Sequence, residues 1–192
     1  MPSGPEKRAL YEFGRTELLK HNFKEIGMDH FAKPDDELFI AEANGLLHRN
    51  FMGYTTTTSK FILGLGVSSI SDTRGGFMQN IKEVEAYQEK LDLGEFPISK
   101  GHILTPKDKK IRMHILNLMC KHQAELTDYS PASLEIVTGR LSELQSDGLV
   151  EINGNVIEIT DQGKPFLRNI AMCLDERYWE VVPQENLFSK SV

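Results

Sequence analysis

Residues 47–71, LHRNFMGYTTTTSKFILGLGVSSIS, place many side chains capable of chemistry in one stretch. Thr55–Thr58 supply four consecutive hydroxyls, and Ser68, Ser69 and Ser71 add three more. No base stands near them in sequence, so they read as backbone caps rather than activated nucleophiles. Gly64-Leu65-Gly66 matches part of a dinucleotide fingerprint. The third glycine and the strand–turn–helix context that would let a pyrophosphate sit on a helix N-terminus are missing. His48 and Arg49 could donate to an anion, with Phe51 and Tyr54 as an apolar wall. Two readings stay open on pattern alone: one wall of a ligand pocket, or a core strand with a glycine bulge.

Metal chemistry finds little support elsewhere. His21, His30, His48, His102, His114 and His122 form no H-x-x-x-H pair, and no Cys-x-x-Cys partner exists. His114 and His122 stand two helical turns apart, too far to share an ion. His30 and His48 are of more interest, because each falls in a loop beside unusual residues. Cys120 and Cys173 are widely separated, as expected of buried thiols in a reducing compartment.

The elements that must position these groups follow from periodicity and punctuation. Helices are expected over 5–21, with Pro5 in the first turn, over 34–45 with Gly45 as stop, and over 81–92. FKEIGM (23–28) alternates as a short strand. Gly and Pro recur over 93–106, the expected linker between a domain spanning 1–92 and one spanning 107–192. In the second domain, helices are expected over 107–126 and 130–148, the latter with Ser130 as cap, Pro131 at its first position and Gly148 as stop. A hairpin over 149–160 turns at Asn153-Gly154, and Thr160 caps a final helix over 161–179. Helix, helix, hairpin, helix is the order of a winged-helix-like unit, and the expected fold class is α+β.

Composition narrows the function classes. The 192 residues carry 22 Lys and Arg against 28 Asp and Glu, a net charge of -6. Neither half has a basic excess, which argues against nucleic-acid binding. The helix that would read a duplex offers Arg140 against Glu135, Glu143 and Asp147. The expected role of the winged-helix unit is therefore packing. No apolar run is long enough for a bilayer span and the N-terminus lacks a signal-peptide core. The expectation is a cytoplasmic protein without nucleic-acid or membrane partners.

Several longer blocks carry a resemblance. GMDHFAKPDDEL (27–38), LHRNF-x-GYTT (47–56), LGLGVSSIS (63–71), Gln79-Asn80 and GKPFLRNIAMCLDERY (163–178) are similar to the bacterial oxygen-independent coproporphyrinogen III oxidases. That family belongs to the radical S-adenosylmethionine enzymes of haem biosynthesis. The resemblance covers nearly the whole chain but only the late part of the family's sequence. It implies the last elements of a partial (β/α) barrel followed by a mostly helical, winged-helix-like C-terminal domain. The family's C-x-x-x-C-x-x-C motif for a [4Fe–4S] cluster has no counterpart here. The chain is therefore expected to be a C-terminal fragment, silent alone, that works with the missing N-terminal barrel and self-associates through exposed edges.

The implied cofactors of the parent are S-adenosylmethionine and the cluster. The implied reaction starts when a 5′-deoxyadenosyl radical takes a β-hydrogen from a propionate of coproporphyrinogen III. Loss of CO₂ and one electron leaves a vinyl, and a second round gives protoporphyrinogen IX. By resemblance, Ile70 is an apolar contact to the cluster-bound S-adenosylmethionine. Phe51 falls at a second S-adenosylmethionine or substrate pocket, and Met52 stands where the family usually has Gln. Met lacks the amide's donor and acceptor but can pack on an adenine or a thioether. Two alternatives remain at this point: a haem-chaperone paralogue, and a stand-alone winged-helix regulatory module.

Overall fold

A computed structural model describes residues 4–180. In chain order its elements are α1 (Gly4–Lys20), β1 (Lys24–Gly27), β2 (His30–Ala32), α2 (Glu37–Ala43), β3 (His48–Asn50), β4 (Gly53–Thr55), β5 (Ile70–Thr73), β6 (Gly76–Asn80), α3 (Val84–Asp92), β7 (Ile98–Ile103), α4 (Pro106–Lys121), β8 (Gln123–Glu125), α5 (Pro131–Ser146), β9 (Val150–Asn153), β10 (Val156–Ile159), α6 (Leu167–Met172) and α7 (Glu176–Glu180). A 3₁₀ turn at Lys164–Phe166 precedes α6. Mixed helix and strand make this an α+β chain.

The chain divides into two compact units, one formed by residues up to Thr56 with those from Met113 onward, the other by Thr57–Arg112. The first holds two apolar clusters. Leu118, Ala124, Val137, Leu141, Ile157 and Leu167 are among those that build the larger. The smaller joins Ile26, Ala32, Ala41, Leu47, Tyr54 and Cys120. α1 buries none of its side chains fully. Polar contacts hold it instead: Tyr11 Oη donates to Glu25 Oε1 at 3.1 Å, and Arg15 Nε donates to Glu25 Oε2 at 2.8 Å. The Arg8 guanidinium lies over the Phe166 ring at 5.1 Å.

In the same unit β8, β10 and β9 form a three-stranded antiparallel sheet in that order. α5 begins as expected, with Ser130 as its N-cap, accepting from the Ser133 N–H, and Pro131 following. The expected helix over 107–126 is shorter. α4 ends at Lys121, His122 takes a left-handed conformation with φ 57°, and Gln123–Glu125 pair with β10. Ala124 and Leu126 are thereby buried, and that tertiary gain outweighs the one further turn of helix. The final helix is likewise broken, into the 3₁₀ turn, α6 and α7. Pro165 has no N–H to continue the ladder. Beyond α6, Cys173 and Leu174 turn into the core.

The second unit is a three-stranded antiparallel sheet, β5–β6–β7, with α3. β7 lies inside the segment expected to be a linker and pairs with β6, so the break over 93–106 does not coincide with this grouping. Arg112 closes the unit. Its Nη1 and Nη2 donate to Asp72 Oδ1 and Oδ2 at 2.9 and 2.6 Å, and it lies over the Phe77 ring at 4.9 Å. Thr105 and Asp108 exchange side-chain to backbone bonds of 3.1 and 2.8 Å, a capping box at the start of α4. All the described ladders are antiparallel. The parallel pairing of a (β/α) barrel is thus not present among the described residues.

Candidate functional site

The opening run of the sequence divides between the two units. Its first part is the β3–β4 hairpin of the first unit, in the register His48 to Thr55, Arg49 to Tyr54 and Asn50 to Gly53. Phe51 and Met52 form the two-residue tip, and Asn50 Oδ1 accepts from the Met52 N–H at 2.8 Å. That bond makes an Asx turn. Phe51 is 53% exposed and Met52 91%. Tyr54, two residues on, is buried, and its Oη donates to the Met119 carbonyl at 2.8 Å. Burial pushes its phenol well above the ordinary value, with the Arg49 charge opposing the shift. His30 meets the Tyr54 ring edge-on at 5.1 Å, and the Arg49 guanidinium lies 4.7 Å from its centroid.

The second part of the run belongs to the second unit. Residues 56–69 form no regular strand, and Ile62 makes a single bridge to Asp72. The loop is nonetheless tightly pinned. Asn80 Nδ2 donates to the carbonyls of Gly64 and Gly66 at 3.1 and 2.9 Å. The Gly64 N–H donates to Ser71 Oγ at 3.0 Å, and the Gly66 N–H to Tyr87 Oη at 3.1 Å. Ser69 Oγ donates to the Leu65 carbonyl at 2.6 Å. A Cβ on Gly64 would stand 2.8 Å from the Ile70 carbonyl oxygen, so glycine is required there by close approach. Ile70 begins β5, is half-buried and pairs with Gln79. Phe61, Leu63, Leu65 and Val67 alternate outward as an exposed apolar row.

Phe51 and Met52 thus stand together, while Ile70 lies in the other unit. The Ser69 and Ser71 hydroxyls bond backbone groups, as their sequence context suggests. Asn80 is the residue whose importance sequence reasoning missed. The one signal was its place in the quoted Gln79-Asn80 pair, which says nothing of two carbonyls 16 and 14 residues upstream. Arg140 is occupied: its Nη1 donates to the Cys173 carbonyl at 3.1 Å and its guanidinium lies over Trp179 at 4.9 Å.

The residues present do not fit an iron–sulfur cluster. Cys120 and Cys173 are buried in different apolar clusters. Burial pushes the Cys120 thiol up to about 11 and raises that of Cys173, which disfavours the thiolate a metal needs. Among the described residues no three His, Cys, Asp or Glu are grouped to hold a metal. No described helix is long and apolar enough to cross a membrane.

Comparison with known proteins gives this geometry a context. No family model matches the chain. The oxygen-independent coproporphyrinogen III oxidase of Salmonella typhimurium is 37% identical over 186 residues, covering 91% of this chain and 40% of that protein. The enzyme of the same name from Synechocystis is 35% identical over 207 residues, covering all of this chain and 43% of that protein. Coproporphyrinogen III oxidase HemN of Escherichia coli, described as a radical SAM enzyme, superposes with a TM-score of 0.84 at 36% identity. The match spans 92% of this chain and 42% of that one.

The chain is homologous to a C-terminal part of the oxygen-independent coproporphyrinogen III oxidases. It spans about two fifths of the length of these relatives. The relatives contain further sequence beyond the matched region, so the absence of a fitting thiolate set here is no conflict with the match.

Proposed function

We propose that this chain serves as the C-terminal part of an oxygen-independent coproporphyrinogen III oxidase, acting with an N-terminal barrel that supplies the iron–sulfur cluster. The observation that carries the reading is the combination of 35–37% identity over nearly the whole chain with a TM-score of 0.84. The substrates of the assembled enzyme are coproporphyrinogen III and S-adenosylmethionine, and the product carries vinyls where two propionates stood. Radical chemistry belongs to the cofactors, and these residues bind, orient and exclude water.

In this reading Ile70 is an apolar wall against S-adenosylmethionine, held in place by the pinned loop before it. Phe51 and Met52 line a second cofactor or substrate pocket, and their exposure at the hairpin tip leaves both able to cover a bound ring. The β-strands of residues 24–80 contribute the last elements of a barrel whose parallel partners lie on other sequence. The order α4–β8–α5–β9–β10 is a winged-helix-like unit used for packing. Its Arg140 is already engaged within the unit, which supports the expectation of no duplex binding. In isolation the chain self-associates through its exposed apolar row and is inactive.

The test is reconstitution under anaerobic conditions. Linked to a cluster-bearing N-terminal region of a relative, the chain should convert coproporphyrinogen III to protoporphyrinogen IX, whereas alone it should neither bind iron nor cleave S-adenosylmethionine. A linked protein that cleaves S-adenosylmethionine but never decarboxylates the porphyrinogen would sink the reading.

A further inference from the structure

Two cationic or potentially cationic side chains stand against the β3–β4 hairpin with no role yet assigned, His30 of β2 and Arg49 of β3. His30 opens β2, and its ring stands against the hairpin backbone. A Cβ on Gly53, whose φ is 131°, would be 3.0 Å from His30 Nε2. Glycine at this position therefore keeps space for the imidazole. Asp29 Oδ1 lies 3.0 Å from Nδ1, a charge contact not aligned as a hydrogen bond, since Nδ1 is otherwise buried without a partner. Nε2 is the ring nitrogen left on the accessible side, with no hydrogen-bond partner among the described residues.

Arg49 also packs against Tyr54. It contacts the Tyr54 ring and hydroxyl and, among the described residues, no carboxylate. Its Nη1 is buried and makes no hydrogen bond. A guanidinium held without an acid is costly in a protein interior unless an anion comes to it. Tyr54 fixes both neighbours, because its own hydroxyl is tied to the Met119 carbonyl. Immediately beside them the tip presents Phe51 and Met52, an apolar surface of the kind that covers a flat ring. Opposite charge is limited to Asp29, which is largely exposed and on the far nitrogen of the imidazole.

We propose that His30 and Arg49 form a carboxylate clamp: they bind a carboxylate side arm of a flat ligand whose ring rests on Phe51 and Met52. Arg49 supplies the charge and the forked donors suited to a carboxylate. His30 donates from Nε2. The clamp rests on the coproporphyrinogen reading for its ligand, and it deepens that reading by assigning propionate recognition to this hairpin.

The experiment uses the 192-residue chain with three probes: coproporphyrin III, its tetramethyl ester and millimolar propionate. Porphyrin binding is followed by fluorescence, and the His30 ring by NMR. Coproporphyrin III should bind at least about tenfold more tightly than the ester, the size expected for losing a charge-assisted pair. His30→Gln and Arg49→Met should each remove most of that preference and leave ester binding unchanged. Arg49→Lys should retain part of it. Unchanged circular dichroism separates these effects from misfolding, and Arg49→Lys keeps a cation in the same space should Arg49→Met fail to fold. Equal binding of acid and ester, or variants that keep the preference, overturns the clamp while leaving the porphyrin reading intact. Failure of that reading has another signature: neither porphyrin binds, yet propionate still shifts the His30 signals. If neither propionate nor coproporphyrin perturbs His30, the clamp is wrong.

Discussion

The hairpin tip at Phe51–Met52 and the loop at Gly64–Gly66 come from one stretch of sequence, yet they are held in opposite ways. The tip is defined by backbone pairing and one Asx bond, and its side chains project into solvent. The loop has almost no backbone ladder, and side chains from Ser71, Asn80 and Tyr87 grip it instead. A surface held by backbone can change its side chains freely. A loop held by side chains cannot. Side chains at the tip can therefore be exchanged without loss of the turn, whereas the gripped loop fixes the backbone that leads into Ile70.

The largest expected effect lies in the core of the first unit. Leu141→Ala, at a fully buried position, should cost about 3 kcal/mol in denaturant unfolding. A cost below about 1 kcal/mol would show that this core is loosely packed. Next comes Asn80→Ala, which leaves two loop carbonyls unpaired and should destabilise by about 2 kcal/mol. Amide exchange at Gly64 and Gly66 should speed up with it. If exchange there is unchanged, the side-chain grip is not what fixes the loop.

Alkaline pH separates the two regions further. Burial raises the Cys120 thiol from 9.0 to about 11, and Tyr11 and Tyr129 from 10.0 to about 12, all in the first unit. Above pH 9 the unfolded chain releases protons that the folded unit still holds. Stability therefore falls as pH rises from about 9 towards about 12. Melting temperature followed from pH 8 to 11 should decline, and Cys120→Ala should flatten the early part of the decline. A melting temperature independent of pH over that range would contradict the burial of these groups. The smallest effect belongs to the tip. Met52→Gln should change stability by no more than about 0.5 kcal/mol, because the side chain is nearly all exposed. A larger loss would mean that Met52 packs against something in solution.

The legible part of the fold was local. Ser130-Pro131 announced the start of α5, and Asn153-Gly154 announced the β9–β10 turn, because capping and turn chemistry are carried by neighbours in sequence. The strand Gln123–Glu125 was not legible, since its partner β10 lies some thirty residues on and its residues also suit a helix. β7 was hidden for the same reason, inside a segment rich in Gly and Pro. At the candidate site, resemblance of the blocks brought out Phe51, Met52 and Ile70. Nothing in residue order pointed to Asn80 reaching back to Gly64, or to His30 and Arg49 flanking one tyrosine ring.

By itself, then, the sequence determined the kinship with the coproporphyrinogen oxidases, the caps and turns, and the lack of a thiolate set for a cluster. Those properties depend on residue identity and short spacing. Tertiary structure decided which hydroxyls and amides grip the Gly64–Gly66 loop, and which side chains meet around Tyr54. Such contacts join residues far apart along the chain, and they form only when burial of the surrounding apolar groups outweighs the entropy of bringing them together.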